Sequence, residues 1–320
     1  MTAEMKYTIK KSAIFFIASI GVIILSTITI SYSTLTEENI KYKIEFFKPV
    51  IDKLLSEKVD TSFLKLLLSD PSTNFNERYI KINVIGYLNK PNYSAHYDIA
   101  SVRRASEFVN DNLKILCDCE NKYGVPKEII SAILWIETKF GDFLGRNHIP
   151  SVFLSAAMAD CEEYISLNKQ RITESFDGDS AKLTEMYKQI ENRAAKKSKW
   201  ALQELKALEK IYNKKQIDIL DLHGSWAGAF GLSQFLPSSY LKWAVDGNKD
   251  NIVDLFDKYD AIFSVANYLK VNGWNTALAG QRKALYHYNN SEAYVDAVIT
   301  LSERIKAKNQ KPDSLEKPIE

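Results

Sequence analysis

The chain has 320 residues, with 42 basic against 40 acidic side chains, so its net charge of +2 offers no footprint for a nucleic acid. Twelve glycines and eight prolines are too few for a propeller-like, collagen-like or loop-dominated architecture and favour helices. Three cysteines cannot build a disulfide framework.

The first predicted element is an apolar run from Ala13 to Ile30, preceded by Lys6, Lys10 and Lys11 and followed by Glu37 and Glu38. The leading lysines hold that side in the cytoplasm and direct the rest across the membrane. Its length lies between that of an uncleaved anchor and that of a cleavable signal, and Ser31-Tyr32-Ser33 offers a cleavage site, so both readings stand. Residues 1–34 are thus an anchor or signal, and the remainder works outside the cytoplasmic membrane, on the periplasmic side.

Residues 35–100 form an N-terminal region. From Leu35 to Leu68 apolar residues recur at helical spacing, among them Phe46, Val50, Ile51, Leu54 and Leu55, which predicts one or two amphipathic helices. From Tyr79 to Tyr87 alternation predicts a short strand, and Asn89 to Tyr97 is turn-rich. Ser101 to Tyr123 reads as a helix with Val102, Ala105, Phe108 and Leu113 on its apolar stripe. Cys117 and Cys119 stand two apart and cannot face each other on that helix, which favours buried free thiols over a disulfide.

The next helix runs from Pro126, suited to a first turn, towards Gly141, suited to an end. Ile130, Ile133, Leu134 and Glu137 fall on one face of it. A carboxyl carried on the core-facing stripe is desolvated, and its raised pKa suits a general acid. A salt-bridged or helix-end glutamate is the plainer alternative. Leu183 to Lys215 predicts a helical arm packed on the body, with Trp200, Leu205, Leu208 and Ile211 inward. Its basic run from Arg193 to Lys199 reads as a solvated face before a contact for an anionic polymer.

Gly224-Ser-Trp-Ala-Gly-Ala-Phe-Gly-Leu-Ser-Gln-Phe-Leu-Pro-Ser-Ser-Tyr240 gathers three glycines within eight residues, letting backbone approach either a ligand or a neighbouring helix. Ser225 and Gln234 stand beside that wall. Asp246, Asn248 and Asp250 then occupy positions 1, 3 and 5 of a loop whose seventh residue, Ile252, supplies a carbonyl. Such hard oxygens suit a structural Ca²⁺, although Asn251 replaces the usual glycine and Asp257 the usual closing glutamate. A solvated acidic turn capping the next helix is the alternative. The cluster from Tyr286 to Val298 sets aromatics and amides around a turn, either as core or as a surface for sugar rings. The tail, residues 309–320, is polar. The four histidines, His96, His148, His223 and His287, have no metal-ligand spacing.

Taken in order, Tyr-Gly-Val-Pro, Ile-Glu-Thr-Lys-Phe-Gly, the glycine-rich segment, Asp-Ala-Ile-Phe-Ser-Val-Ala-Asn-Tyr-Leu and Tyr-Asn-Asn-Ser-Glu-Ala-Tyr resemble the membrane-bound lytic murein transglycosylase B family. The resemblance implies a mainly α, lysozyme-like fold with minor β, over residues 101–308. It implies non-hydrolytic cleavage between N-acetylmuramic acid (MurNAc) and N-acetylglucosamine (GlcNAc) in peptidoglycan glycan strands, with no cofactor in the chemistry. By the same match Glu137 is the catalytic acid/base, and Ser225, Gln234, Tyr268, Tyr288, Asn289 and Tyr294 line the glycan cleft. The family's calcium loop closes three residues beyond Asp257, here at Asp260. After Pro150 the chain departs from the Tyr-Pro-Arg-Arg segment of some members and carries Leu-Ser-Ala-Ala-Met-Ala-Asp-Cys. Hydrolysing glycosidases usually need two carboxylates. Asp142, the nearest candidate, sits past the helix end, so the residues favour a lyase over a muramidase. Two rivals remain at this stage: a peptidoglycan-binding protein without turnover, and a membrane-anchored scaffold using the arm. Nothing in the chain names a protein partner.

Overall fold

A computed structural model describes residues 37–84 and 92–310. The apolar run 13–30 lies outside the described residues, as do residues 85–91 and 311–320. Among those described, no helix is long and apolar enough to cross a membrane.

Three short helices come first among the described residues: α1 (residues 37–46), α2 (Lys48–Ser56) and α3 (Thr61–Ser69). Phe47 interrupts the first pair, and Pro49 stands in the first turn of α2, where its missing N–H costs nothing. Asp60 caps α3 by accepting from the Ser62 N–H. Val50 and Leu54 are buried as the spacing predicts, whereas Leu55 stays exposed. A salt bridge from Lys53 to Asp160, 2.7 Å long, ties α2 to the body.

Over its described residues, 79–84, the strand expected from Tyr79 to Tyr87 does not form. Glu77–Ile80 is a 3₁₀ turn, and residues 81–84 run on without secondary structure. Ile82 and Val84 still turn inward on alternate positions, but no strand among the described residues lies beside them. The Ile82 N–H donates instead to Asn168 Oδ1 at 2.9 Å, and the Lys81 carbonyl accepts from Lys197 Nζ at 3.0 Å. Side chains have replaced a ladder, which periodicity cannot reveal. The turn-rich stretch holds a second 3₁₀ turn, Ser94–His96.

The single helix expected over 101–123 is two: α4 (Ile99–Asp111) and α5 (Leu113–Tyr123). Asn112 breaks them by turning its side-chain amide to the Phe108 carbonyl, 2.9 Å away. The break takes Leu113 off the apolar stripe, and it is 48% exposed. Gly124 ends α5 in the left-handed conformation, and α6 (Lys127–Thr138) follows Pro126 directly. Helix α6 is the centre of the molecule. Ten of its twelve residues are buried, and it packs against α13 (Glu292–Gln310), α4 and α11 (Lys258–Val271).

Beyond it, β1 (Asn147–His148) pairs antiparallel with β2 (His223–Gly224), the one sheet among the described residues. Next come α7 (Ile149–Ala157), α8 (Glu162–Ser175) and α9 (Ser180–Lys214). The predicted arm is α9, and it does more than lie on the body. Ala201, Leu205, Leu208 and Ile211 join the main core, while Met186 and Ile190 build a second, smaller cluster with Ile172. Midway, buried Glu204 accepts from Ser238 N (2.8 Å) and Oγ (2.7 Å), satisfying the N-terminal turn of α10 (Pro237–Trp243). Helix α12 (Leu278–Tyr288) then leads into α13. One main core gathers residues from Phe47 near the start to Ile305 near the end of the described chain. The three cysteines are free. Cys119 is buried, and burial pushes its thiol up to about 12.

Candidate active site

Glu137 is the penultimate residue of α6. The helix stops one residue later, earlier than the expected end at Gly141. Lys139 (φ 50°), Phe140 (φ 60°) and Gly141 (φ 107°) are all left-handed. Two successive non-glycine residues in that region are strained, and such strain gathers at functional sites. The turn is fixed by Thr138, whose Oγ1 accepts from Gly141 N (3.2 Å) and donates to the Leu232 carbonyl (3.1 Å). The end of α6 is thereby bound to the glycine-rich segment.

The Glu137 side chain is half-buried, and its recorded partner is Tyr294 on α13, whose hydroxyl donates to Oε1 at 2.7 Å. Desolvation pushes the carboxyl up to about 7, with the Tyr294 hydrogen bond pulling the other way. No cation among the described residues offsets the desolvation. Nor does any second carboxylate among the described residues perturb Glu137. Asp142 points elsewhere, half-exposed and paired with Arg104 at 3.3 Å.

The aromatic cluster forms a wall beside this carboxyl. Tyr294, 1% exposed, stacks on Tyr288 with centroids 6.3 Å apart and planes within 7°. Tyr288 donates to the Ser233 carbonyl (2.6 Å) and meets the ring of Tyr268 edge-on at 4.8 Å. The Tyr268 hydroxyl lies 2.8 Å from the His287 carbonyl and 2.9 Å from His287 Nδ1, which holds the end of its side chain on α12. Phe235 touches both Tyr268 and Tyr288. Burial, then the Glu137 charge, raises the pKa of Tyr288 and Tyr294 well above the ordinary tyrosine value. Both phenols stay neutral donors.

Of the remaining expected residues, Gln234 has left-handed backbone (φ 49°) and donates from Nε2 to the carbonyls of Gly231 (2.9 Å) and Leu144 (3.3 Å). Ser225 sits in the turn after β2, its Oγ accepting from Ala229 N at 3.1 Å. Asn289 follows Tyr288 directly and is half-buried, its described hydrogen bonds running through the backbone. The glycines of this segment serve packing. A Cβ on Gly228 would fall 2.2 Å from the Phe153 ring, and one on Gly231 2.5 Å from Leu255 Cβ.

One residue escaped the sequence reading. Tyr93, beside the 3₁₀ turn, meets Tyr294 edge-on at 5.9 Å and feels the Glu137 charge. It carries no periodicity, and a tyrosine in a turn-rich stretch gives no signal of its own. Of the histidines, His148 bonds Ser151 and the Leu220 carbonyl, His96 packs against the Tyr93 ring at 5.7 Å, and His287 is exposed.

The loop after α10 turns through left-handed Lys249 (φ 66°) and Asn251 (φ 71°). Asp246 accepts from the N–H groups of Lys249, Asp250 and Asn251; Asn248 accepts from Asp250 N, and Asp250 from Ile252 N. Asp257 caps α11 rather than facing the loop. Asp260 closes the loop instead, 1% exposed, accepting from Gly247 N (2.7 Å) and Asp254 N (2.6 Å). Among the described residues no three His, Cys, Asp or Glu side chains converge as a metal cluster.

The family model described as the transglycosylase SLT domain matches residues 90–284. The chain belongs to that family. The membrane-bound lytic murein transglycosylase B of Escherichia coli (strain K12) is 36% identical over 152 residues, 48% of this chain and 33% of the relative, so the chain spans about a third of that relative's length. Among solved structures, the E. coli lytic transglycosylase Slt35 in complex with bulgecin A aligns at TM-score 0.60 and 23% identity, covering 83% of this chain and 94% of that one. The same Slt35 solved with calcium aligns at 0.52 and 22%, covering 86% and 94%. SltB3 of Pseudomonas aeruginosa, solved with NAG-anhNAM-pentapeptide, aligns at 0.62 and 18%, covering 82% and 79%. At these identities the likeness establishes the fold. This SLT domain is mainly helical and lysozyme-like with minimal β, its sheet reduced to two residue pairs. Glu137, the glycine-rich segment and Tyr268 all fall inside the matched span, while Tyr288 and Tyr294 lie just beyond it.

Proposed function

We propose that this SLT domain is a peptidoglycan lytic transglycosylase that cleaves the MurNAc–GlcNAc bond without water and leaves a 1,6-anhydro end. The observation that carries the reading is a carboxyl raised to about 7 that receives a tyrosine hydroxyl and has no second carboxylate beside it among the described residues. Near neutrality such a group is partly protonated and can serve first as acid, then as base. Protonated Glu137 gives its proton to the glycosidic oxygen as the C1–O4 bond breaks. The carboxylate left behind takes the proton of the C6 hydroxyl as O6 closes on C1. The enzyme ends as it began, and no water is consumed. Tyr294 steadies the carboxylate between the two steps.

In this proposal Ser225, Gln234, Tyr268, Tyr288, Asn289 and Tyr294 line the glycan cleft, within a catalytic unit of residues 101–308. The apolar run 13–30 holds the protein to the periplasmic face of the inner membrane, or directs its export if cleaved. We also place a structural Ca²⁺ in the loop, held by Asp246, Asn248, Asp250, the Ile252 carbonyl and Asp260. Support comes from the donor set, where amide and carbonyl oxygens stand beside carboxylates, and from Asp260, a buried acid with no cationic partner recorded. The ion would brace the loop that leads into α11, and with it Tyr268, and would take no part in the chemistry.

Mass spectrometry of fragments released from purified sacculi tests the reaction. Anhydro-ended products are expected. Products heavier by one water would make the protein a muramidase, and binding without release would leave it a peptidoglycan-binding module.

A further inference from the structure

Two large aromatic side chains on adjoining segments stand out of the surface, and the catalytic proposal uses neither. Trp226 is 71% exposed and Phe143 is 64% exposed. They belong to different segments, one in the turn after β2 and the other in the loop between α6 and β1. The backbones of the two segments nevertheless touch. A Cβ on Gly145 would lie 2.1 Å from the Gly224 carbonyl oxygen and 2.7 Å from Ser225 N, so only glycine permits the approach. The paired strands β1 and β2 close the same junction from behind, through Asn147 opposite Gly224.

This junction is continuous with the candidate cleft on both sides. Phe143 N donates to the carbonyl of Thr138, the residue after Glu137, at 3.0 Å. The Leu144 carbonyl accepts from Gln234, and Trp226 follows Ser225 directly. The Lys139 ammonium, on the strained turn, lies 5.0 Å from the centre of the Phe143 ring and restrains it from above. Exposed aromatics grouped at the edge of a site mark a contact surface. Flat rings of this kind suit the C–H faces of pyranose sugars.

We infer that Phe143 and Trp226 form an outer sugar-binding platform, which holds the glycan strand beyond the sugars flanking the bond that is cut. The inference rests on the glycan-cleaving reading of the cleft. The platform engages only substrates long enough to reach past the cleft, so it sets a preference for strand length. It acts on capture of the strand and leaves the acid/base step to Glu137.

The test compares long peptidoglycan glycan strands with a tetrasaccharide spanning one cleavable bond, using the full chain. The unaltered protein should show the lower KM on long strands. A Phe143→Ala/Trp226→Ala double variant should raise that KM roughly tenfold, the cost of losing a central aromatic contact. The loss should fall on KM far more than on kcat, and Phe143→Tyr with Trp226→Phe should restore the preference. Val271→Ala, an exposed apolar change on α11 outside the junction, should keep it throughout. A double variant that folds with an unchanged melting curve and keeps its length preference would overturn the platform. So would loss of self-association as the variant's only change. Should the unaltered protein release nothing from sacculi, the cleavage reading fails first, and glycan binding by the two proteins then decides the platform alone.

Discussion

At the scale of single residues, the site depends on how one carboxyl is held. A general acid contributes on the order of 10²–10⁴-fold, so Glu137→Gln should lower kcat on sacculi by about 10³-fold. The same substitution has a consequence for stability. The folded pKa is raised from 4.5 to about 7, so the folded state binds the proton more tightly than the unfolded chain. The stabilisation is fully present below about pH 4.5 and is lost as pH rises through about 7. Glu137→Gln removes that dependence and should be the more stable protein at pH 8, by on the order of 2 kcal/mol after allowance for partial solvation. Denaturant melts at pH 5 and pH 8 check it, and equal stabilities at both would argue against a raised pKa. Tyr294→Phe deletes a hydrogen bond that favours the carboxylate. The basic limb of its pH–activity profile should move to higher pH while kcat falls; a downward move would show that Tyr294 acts otherwise. The desolvated placement of Glu137 was legible in the sequence, because a charge on an apolar stripe contradicts its surroundings. Tyr93 was not, because its position depends on a turn meeting a helix two hundred residues later.

At the scale of elements, helices were legible and their partners were not. Spacing marked α6 and α9 well, since each buries one or more faces over many turns. It failed from Tyr79, where alternation is present but the backbone bonds go to Asn168 and Lys197. It also joined α4 to α5, because one asparagine turning back on Phe108 leaves the apolar pattern almost intact. The glycine-rich segment was ambiguous for a related reason: close approach to a ligand and close approach to Phe153 make the same demand on composition. The structure assigns Gly228 to the second, with φ at 84° and no room for a methyl. Gly228→Ala should therefore destabilise the fold by about 2 kcal/mol or more, through strain and overpacking together. A melting temperature within a degree or two of the parent would place the glycine elsewhere in the design.

At the scale of the whole molecule, the proposed ion in the loop before α11 would tie its binding to stability. A cation that binds the folded state alone, at a concentration a hundred times its Kd, adds about 2.7 kcal/mol. The melting temperature should rise between chelator and millimolar Ca²⁺, and Asp250→Ala should abolish the rise. An unchanged melting temperature in the parent protein would remove the ion from the loop.

Helix α9 is 35 residues long, about 52 Å from end to end, and its hydrogen-bond ladder is unbroken. One end is built into the main core and the other holds only the small cluster around Ile172, Met186 and Ile190. A continuous ladder need not open as one unit. Amides near Ile190 should exchange with deuterium through a local opening that releases α8 and the first turns of α9. Those near Leu205 should wait for global unfolding. Protease added at low concentration should accordingly cut first between α8 and α9, around Gly178, and leave the half that caps α10 through Glu204 intact. The helix that looks most rigid would then be the place where the protein first comes apart.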